Sequence, residues 1–141
     1  AAAISNQRTI VLAMGMGGGS GGMGGMGGGG ADGSFTIDGK TFDPARTDIT
    51  ARIGAIEEWT IHNTSTMDHP FHLHVWPFQV MARSDGTTPA PAWKDTVNIP
   101  AGQWVRIRLA FNAFPGRTVY HCHILDHEDL GMMGIIEVTA G

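Results

Sequence analysis

Alternation of apolar and polar residues most limits what this chain can become, because a period of two buries one face of a strand and not the stripe of a helix. It recurs at Thr9-Ile10-Val11-Leu12, Glu58-Trp59-Thr60-Ile61-His62, Trp104-Val105-Arg106-Ile107-Arg108-Leu109 and Gly134-Ile135-Ile136-Glu137-Val138. Helical periodicity is scarce. Between the alternating runs stand the turn formers Asp38-Gly39, Asp85-Gly86, Pro100-Ala101-Gly102 and Pro115-Gly116, at spacings expected of an antiparallel sandwich. The expected fold is all-β, a Greek-key β-sandwich. A length of 141 residues suits one hydrophobic core and is short for two domains of ordinary size, so residues 1–141 are read as a single domain.

One segment departs from this pattern. From Met14 to Gly30 every residue is Gly except Met14, Met16, Ser20, Met23 and Met26. Such a stretch cannot bury enough apolar surface to offset its backbone entropy, and a flexible loop is expected over residues 14–34. It reads either as a linker with incidental methionines or as a thioether-rich collector of Cu(I), a soft ion that thioethers favour.

Charge and composition exclude several functions. Lys and Arg number 9 against 13 Asp and Glu, a net charge of -4, with no basic block to follow a phosphate backbone, so nucleic acid is not an expected partner. No apolar run approaches the roughly 18 residues of a membrane span, and Ala1 to Arg8 lacks the charged start and apolar middle of a secretory signal. The reading is a soluble chain, either processed or a fragment. The single cysteine, Cys122, excludes an internal disulfide and leaves the redox compartment open.

The chemistry is concentrated in two short segments. Of seven His and eight Met, six His fall in His69-Pro70-Phe71-His72-Leu73-His74 and in His121-Cys122-His123 with His127, the latter followed by Met132. In extended chain His72 and His74 point one way and His69 the other, while His121 and His123 share a face that Cys122 leaves. Two directions imply two metal sites. A thiolate, two imidazoles and a weak thioether are the donors of an electron-transfer copper, and Cys122, His69, His127 and Met132 supply them. The remaining four His are left for a second site, reached from Cys122 through its sequence neighbours. Structural zinc would ask for more thiolates or a compact tetrahedral set. Met133 faces away from Met132 in extended chain, and Met67 and Met81 are read as packing residues. His62, outside both segments, is read as a polar residue and not a ligand.

These segments, together with Trp93-Lys94-Asp95-Thr96-Val97 and Gly131-Met132-Met133, resemble the carboxy-terminal copper signatures of multicopper oxidases, over about Phe35 to Val138. The likeness is to bacterial laccases and periplasmic cuprous oxidases, whose last domain is a cupredoxin-type β-sandwich. The resemblance implies that His69, Cys122 and His127 are type 1 copper ligands with Met132 axial. His72 corresponds to a type 2 ligand, and His74, His121 and His123 to type 3 ligands. Glu128 corresponds to an acidic residue that assists proton delivery to oxygen. Asp68, beside His69, is placed to receive a proton or position a donor, although acidic residues in loops are more often solvated.

The resemblance also implies four coppers per complete enzyme, with the other half of the trinuclear cluster coming from an amino-terminal cupredoxin domain. It implies oxidation of phenols, aromatic amines or Cu(I), O2 as acceptor, and a periplasmic or secreted location. The competing reading is a blue-copper electron-transfer or copper-binding module with no catalysis of its own, which would have no need of His72, His74, His121 and His123. Copper nitrite reductase is a weaker rival, because its type 2 site does not call for His on both sides of the cysteine.

Overall fold

The computed structural model describes residues 4–14, 35–90, 92–112, 114–122 and 132–140. Met14, expected to begin the loop, instead lies in a strand and pairs with Phe35; the Met- and Gly-rich segment from position 15 onward lies outside the described residues. Ten strands are described: β1 (Asn6–Met14), β2 (Phe35–Ile37), β3 (Ile49–Arg52), β4 (Ile56–Asn63), β5 (His69–Leu73), β6 (Phe78–Arg83), β7 (Thr96–Ile99), β8 (Trp104–Ala110), β9 (Gly116–Cys122) and β10 (Met133–Thr139). They form two five-stranded sheets, β2-β1-β4-β8-β6 and β3-β10-β9-β5-β7. The four alternating runs of the sequence fall within β1, β4, β8 and β10.

The sandwich is not wholly antiparallel, contrary to the expectation from turn spacing. β1 pairs with β4 in parallel, Arg8 opposite Trp59, and β3 pairs with β10 in parallel, Ile136 opposite Ile49. The reason is topological. After β1 and β2 the chain crosses to the second sheet for β3, then returns as β4 in the same direction as β1, and such a crossover makes a parallel pair.

Turn chemistry behaves as the residues dictate. Asp38 and Gly39 both take positive φ, 54° and 79°, and the amides and carbonyls of Ile37 and Lys40 bond each other at 3.0 Å. This is the tight two-residue hairpin for which Asp-Gly is suited. Gly102, with φ 75°, closes a turn in which the Gln103 amide donates to the Pro100 carbonyl at 3.0 Å, as a type II turn requires of its third residue.

Between the sheets lies an aromatic core. Trp59 on β4 meets Phe71, Phe111 and Tyr120 with ring centroids 6.5, 6.4 and 6.0 Å away, surrounded by Ile10, Leu12, Ile61, Ile107 and Leu109, all buried. Burying each such side chain stabilises by about 1.5–3 kcal/mol. Phe71 and Tyr120 come from β5 and β9, so the core clamps the inner faces of the two strands that carry the histidines. Among the described residues no helix is long and apolar enough to cross a membrane.

Candidate metal centre

β5 and β9 are hydrogen-bonded neighbours, with Phe71 opposite Cys122, His72 opposite His121 and Leu73 opposite Tyr120. On β5 the burial pattern alternates from His69 to Leu73, so His69 turns into the sandwich and His72 turns out of it. The same pleat sends Cys122 inward and His121 outward. The side chains therefore form two sets, one on each face of a single sheet, in the directions read from the sequence.

The inner set is dry. His69, Cys122 and Met132 have no exposed surface. The Cys122 Sγ lies 3.5 Å from His69 Nδ1, and the Cys122 amide donates to the Met132 carbonyl at 3.1 Å, which brings the start of β10 beside the thiol. The other ring nitrogen of His69, Nε2, is 2.8 Å from the Ser65 hydroxyl.

The outer set is three imidazoles. His72, His74 and His121 each offer a ring nitrogen, and these atoms lie within 4.8 Å of one another. His74 Nε2 and His121 Nε2 are 3.0 Å apart. Carbonyl oxygens can only accept, so their partners reveal where ring protons sit. His121 Nδ1 meets its neighbour's carbonyl, that of Cys122, at 2.9 Å, and must donate. His72 Nδ1 meets the Asp95 carbonyl at 2.9 Å and Thr96 Oγ1 at 3.0 Å. Because the Thr96 hydroxyl donates to Asp95 Oδ1 at 3.0 Å, it too accepts from His72. Both rings thus hold a proton on Nδ1 and present Nε2 to the cluster, the arrangement by which outer partners orient metal-binding imidazoles.

The backbone changes direction sharply after His74. Val75 has φ 76°, and the Trp76 amide donates to the His74 carbonyl at 2.9 Å, a three-residue γ-turn of the strained hand. A β-branched residue there is an outlier, and such strain gathers at functional sites. The turn borders a cleft of about 290 Å³ lined in part by His72, His74 and Asp95, which gives the cluster access to its surroundings. The Asp95 carboxylate stands 3.8 Å from His72 Nδ1.

Other candidates divide. His123, His127 and Glu128 lie outside the described residues. His62 packs on Trp104 with centroids 6.5 Å apart, on the outer face of the first sheet and away from both sets. Asp68 accepts from the Ala101 amide at 2.9 Å and from Asn98 Nδ2 at 3.1 Å. These bonds, the Ala101 amide first, hold its carboxyl below the usual range, and it anchors the 100–102 turn to the start of β5. Met67 is 42% exposed and is therefore no packing residue, because the 64–68 loop carries it away from the core. Met133 pairs with His121 and faces outward, while Met132 is inward.

Sequence reasoning missed Ser65 and Thr96 as partners of the histidine rings, and Asn63 as the partner of Ser65. The run Asn63-Thr64-Ser65 carried a turn signal, but nothing local showed that a ring four residues on would fold back over it.

The comparisons agree with this geometry. A multicopper oxidase of Staphylococcus aureus is 43% identical over 115 residues, covering 77% of this chain and 25% of its own length. A laccase of Bacillus subtilis is 36% identical over 110 residues, covering 64% of this chain and 21% of its own. A solved structure of a multicopper oxidase from Campylobacter jejuni, described as a metallo-oxidase, superposes with a TM-score of 0.80 at 34% identity, over 99% of this chain and 31% of that one. The chain thus spans about a quarter of the length of the relatives it matches. The multicopper oxidase family model matches residues 24–141, and with these relatives and this fold the chain belongs to the multicopper oxidase family.

Proposed function

We propose that this chain is the carboxy-terminal, cupredoxin-type domain of a laccase-like or cuprous oxidase. The complete enzyme removes single electrons from phenols, aromatic amines or Cu(I) and uses them to reduce O2 to water. One observation carries the reading: His121 and Cys122, adjacent in sequence, belong to donor sets on opposite faces of the same sheet.

The donors suit copper. A buried thiol beside an imidazole, with a buried thioether just before the adjoining strand, is the soft set that copper electron-transfer sites use, and three converging imidazoles suit copper as well. Copper held there supplies one-electron redox chemistry and, as a cluster, reduction of O2. His69, Cys122, His127 and Met132 would hold the type 1 ion, His72 the type 2 ion, and His74, His121 and His123 the type 3 pair. Cys122 and His121 link the two sets through one peptide unit, reinforced by the His121 Nδ1 bond to the Cys122 carbonyl. The closed inner set keeps water from the thiolate, and Glu128 holds a proton for oxygen chemistry. A simple electron carrier would have no use for the outer three-histidine cluster, which disfavours the non-catalytic reading.

The rest of the assignment follows the family. An amino-terminal cupredoxin domain completes the cluster, residues 1–141 form one domain, and the enzyme works in the periplasm or outside the cell. The test is copper content, visible absorption and O2 consumption of the protein that contains this chain. Cys122→Ser is expected to lose the intense blue thiolate absorption and turnover together, while His123→Ala keeps the blue colour. Retained turnover in Cys122→Ser would overturn the role of this thiol in electron entry.

A further inference from the structure

The loop between β4 and β5 holds a buried hydrogen-bond chain that ends on His69. Asn63 is buried, and its Nδ2 donates to the Met67 carbonyl at 2.7 Å and to the Ile99 carbonyl at 2.9 Å. Two carbonyl partners fix the orientation of the amide. Its Oδ1 is left to accept, and it does so from the Ser65 amide at 2.9 Å and from the Ser65 hydroxyl at 2.7 Å. The same hydroxyl lies 3.0 Å from the Met67 carbonyl and 2.8 Å from His69 Nε2.

A hydroxyl has one proton to give. Two of its neighbours, Asn63 Oδ1 and the Met67 carbonyl, are acceptors only. Directed to His69 Nε2, that proton would leave both oxygen pairs, at 2.7 and 3.0 Å, without a hydrogen; directed to Asn63 Oδ1 it leaves only the longer pair so, the less costly arrangement in a buried place. The proton in the Ser65–His69 contact therefore belongs to the ring. A neutral imidazole with its proton on Nε2 has its lone pair on Nδ1, the atom 3.5 Å from the Cys122 thiol.

We propose that Ser65, oriented by Asn63, is a positioning residue that fixes His69 in the tautomer whose Nδ1 lone pair faces Cys122. This rests on the copper reading of the inner set and names a determinant of it that lies outside both histidine segments. By accepting the ring N–H, Ser65 also raises the electron donation of His69 to whatever Nδ1 binds.

The test uses the complete copper-loaded protein that carries this chain. Ser65→Ala is expected to weaken retention of the blue copper about tenfold or more in competition with a chelator, the range typical for loss of such a partner. It also raises the reduction potential of that site, because a ring without its acceptor stabilises the oxidised ion less. Ser65→Thr, which keeps the hydroxyl, returns both towards the parent. Unchanged retention and potential in Ser65→Ala overturn the proposal. Should Ser65→Ala fail to fold, the metal-free parent with 15N-labelled histidine decides: a proton on His69 Nε2 supports the proposal, and one on Nδ1 overturns it. A parent with no blue absorption when loaded with copper removes the copper reading, and the His69 tautomer then still decides the role of Ser65.

Discussion

Gly134 and Tyr120 face each other across β10 and β9. A methyl group on Gly134 would lie 2.5 Å from both Cζ and the hydroxyl of the buried Tyr120, far inside contact distance. Gly134→Ala is therefore expected to destabilise by about 1–3 kcal/mol, the usual cost of overpacking, measured by urea unfolding. Adding Tyr120→Phe should not restore stability, since the ring carbon is as close as the oxygen. Asp38 gives a prediction in pH. Its residue is exposed, but its carboxylate turns onto β1 to accept the Val11 amide at 2.8 Å. Loss of water raises its pKa above 3.8, and the Val11 bond offsets this only in part. The folded state thus holds this proton more tightly than the unfolded chain, so ionisation costs stability. The cost is absent below the unfolded value and complete above the raised one. Asp38→Asn keeps the acceptor and tolerates the positive φ, so it should match the parent in acid and melt higher near neutrality. A difference independent of pH would contradict this cause. The Asp38-Gly39 turn was legible in the sequence because both residues favour positive φ. The role of Gly134 was not, because a glycine in a strand does not say which ring will cover it.

Glu57 shows the same division at the scale of elements. Alternation identifies β4 and its buried face, and Glu57 lies on that face, 2% exposed. Its Oε1 accepts from Arg8 Nε at 2.7 Å and from Trp59 Nε1 at 2.9 Å, and its Oε2 accepts from Arg8 Nη2 at 3.1 Å. Arg8 Nη2 also donates to the Thr50 carbonyl at 2.7 Å, so one carboxylate joins β1 and β4 to β3 of the opposite sheet. Glu57→Ala leaves the Arg8 Nε and the Trp59 indole N–H without their acceptor, while Arg8, its side chain 25% exposed, keeps the Thr50 carbonyl. The substitution is expected to cost about 1–3 kcal/mol, as for an unsatisfied buried donor. Chemical denaturation measures it, and a loss under 1 kcal/mol would mean that Arg8 is satisfied by water instead. The parallel pairing of β1 with β4 sets this contact. Strand pattern records which face is buried and not which strand lies alongside, so the sequence led to an antiparallel expectation that two pairings do not follow.

The whole molecule is a sandwich whose second sheet serves two purposes: its inner face completes the core around Trp59, and its outer face carries the three-histidine cluster. A metal that binds the folded state and not the unfolded chain raises stability by mass action. Copper-loaded protein is therefore expected to melt above its metal-free form in calorimetry. In Cys122→Ser the increment should shrink without vanishing, since His72, His74 and His121 keep their arrangement on the opposite face. An increment abolished by Cys122→Ser would show that the outer cluster does not bind copper on its own. The sequence by itself determined the strand character, the turn positions and the separation of the described donors into two directions, because these depend on geometry over a few neighbouring residues. Only the tertiary structure decided that His72 and His121 stand opposite each other, that Ser65, held by Asn63, reaches His69, and which ring nitrogen His69, His72 and His121 present. Those outcomes arise from packing and hydrogen bonds between segments far apart in the chain, and no local pattern encodes them.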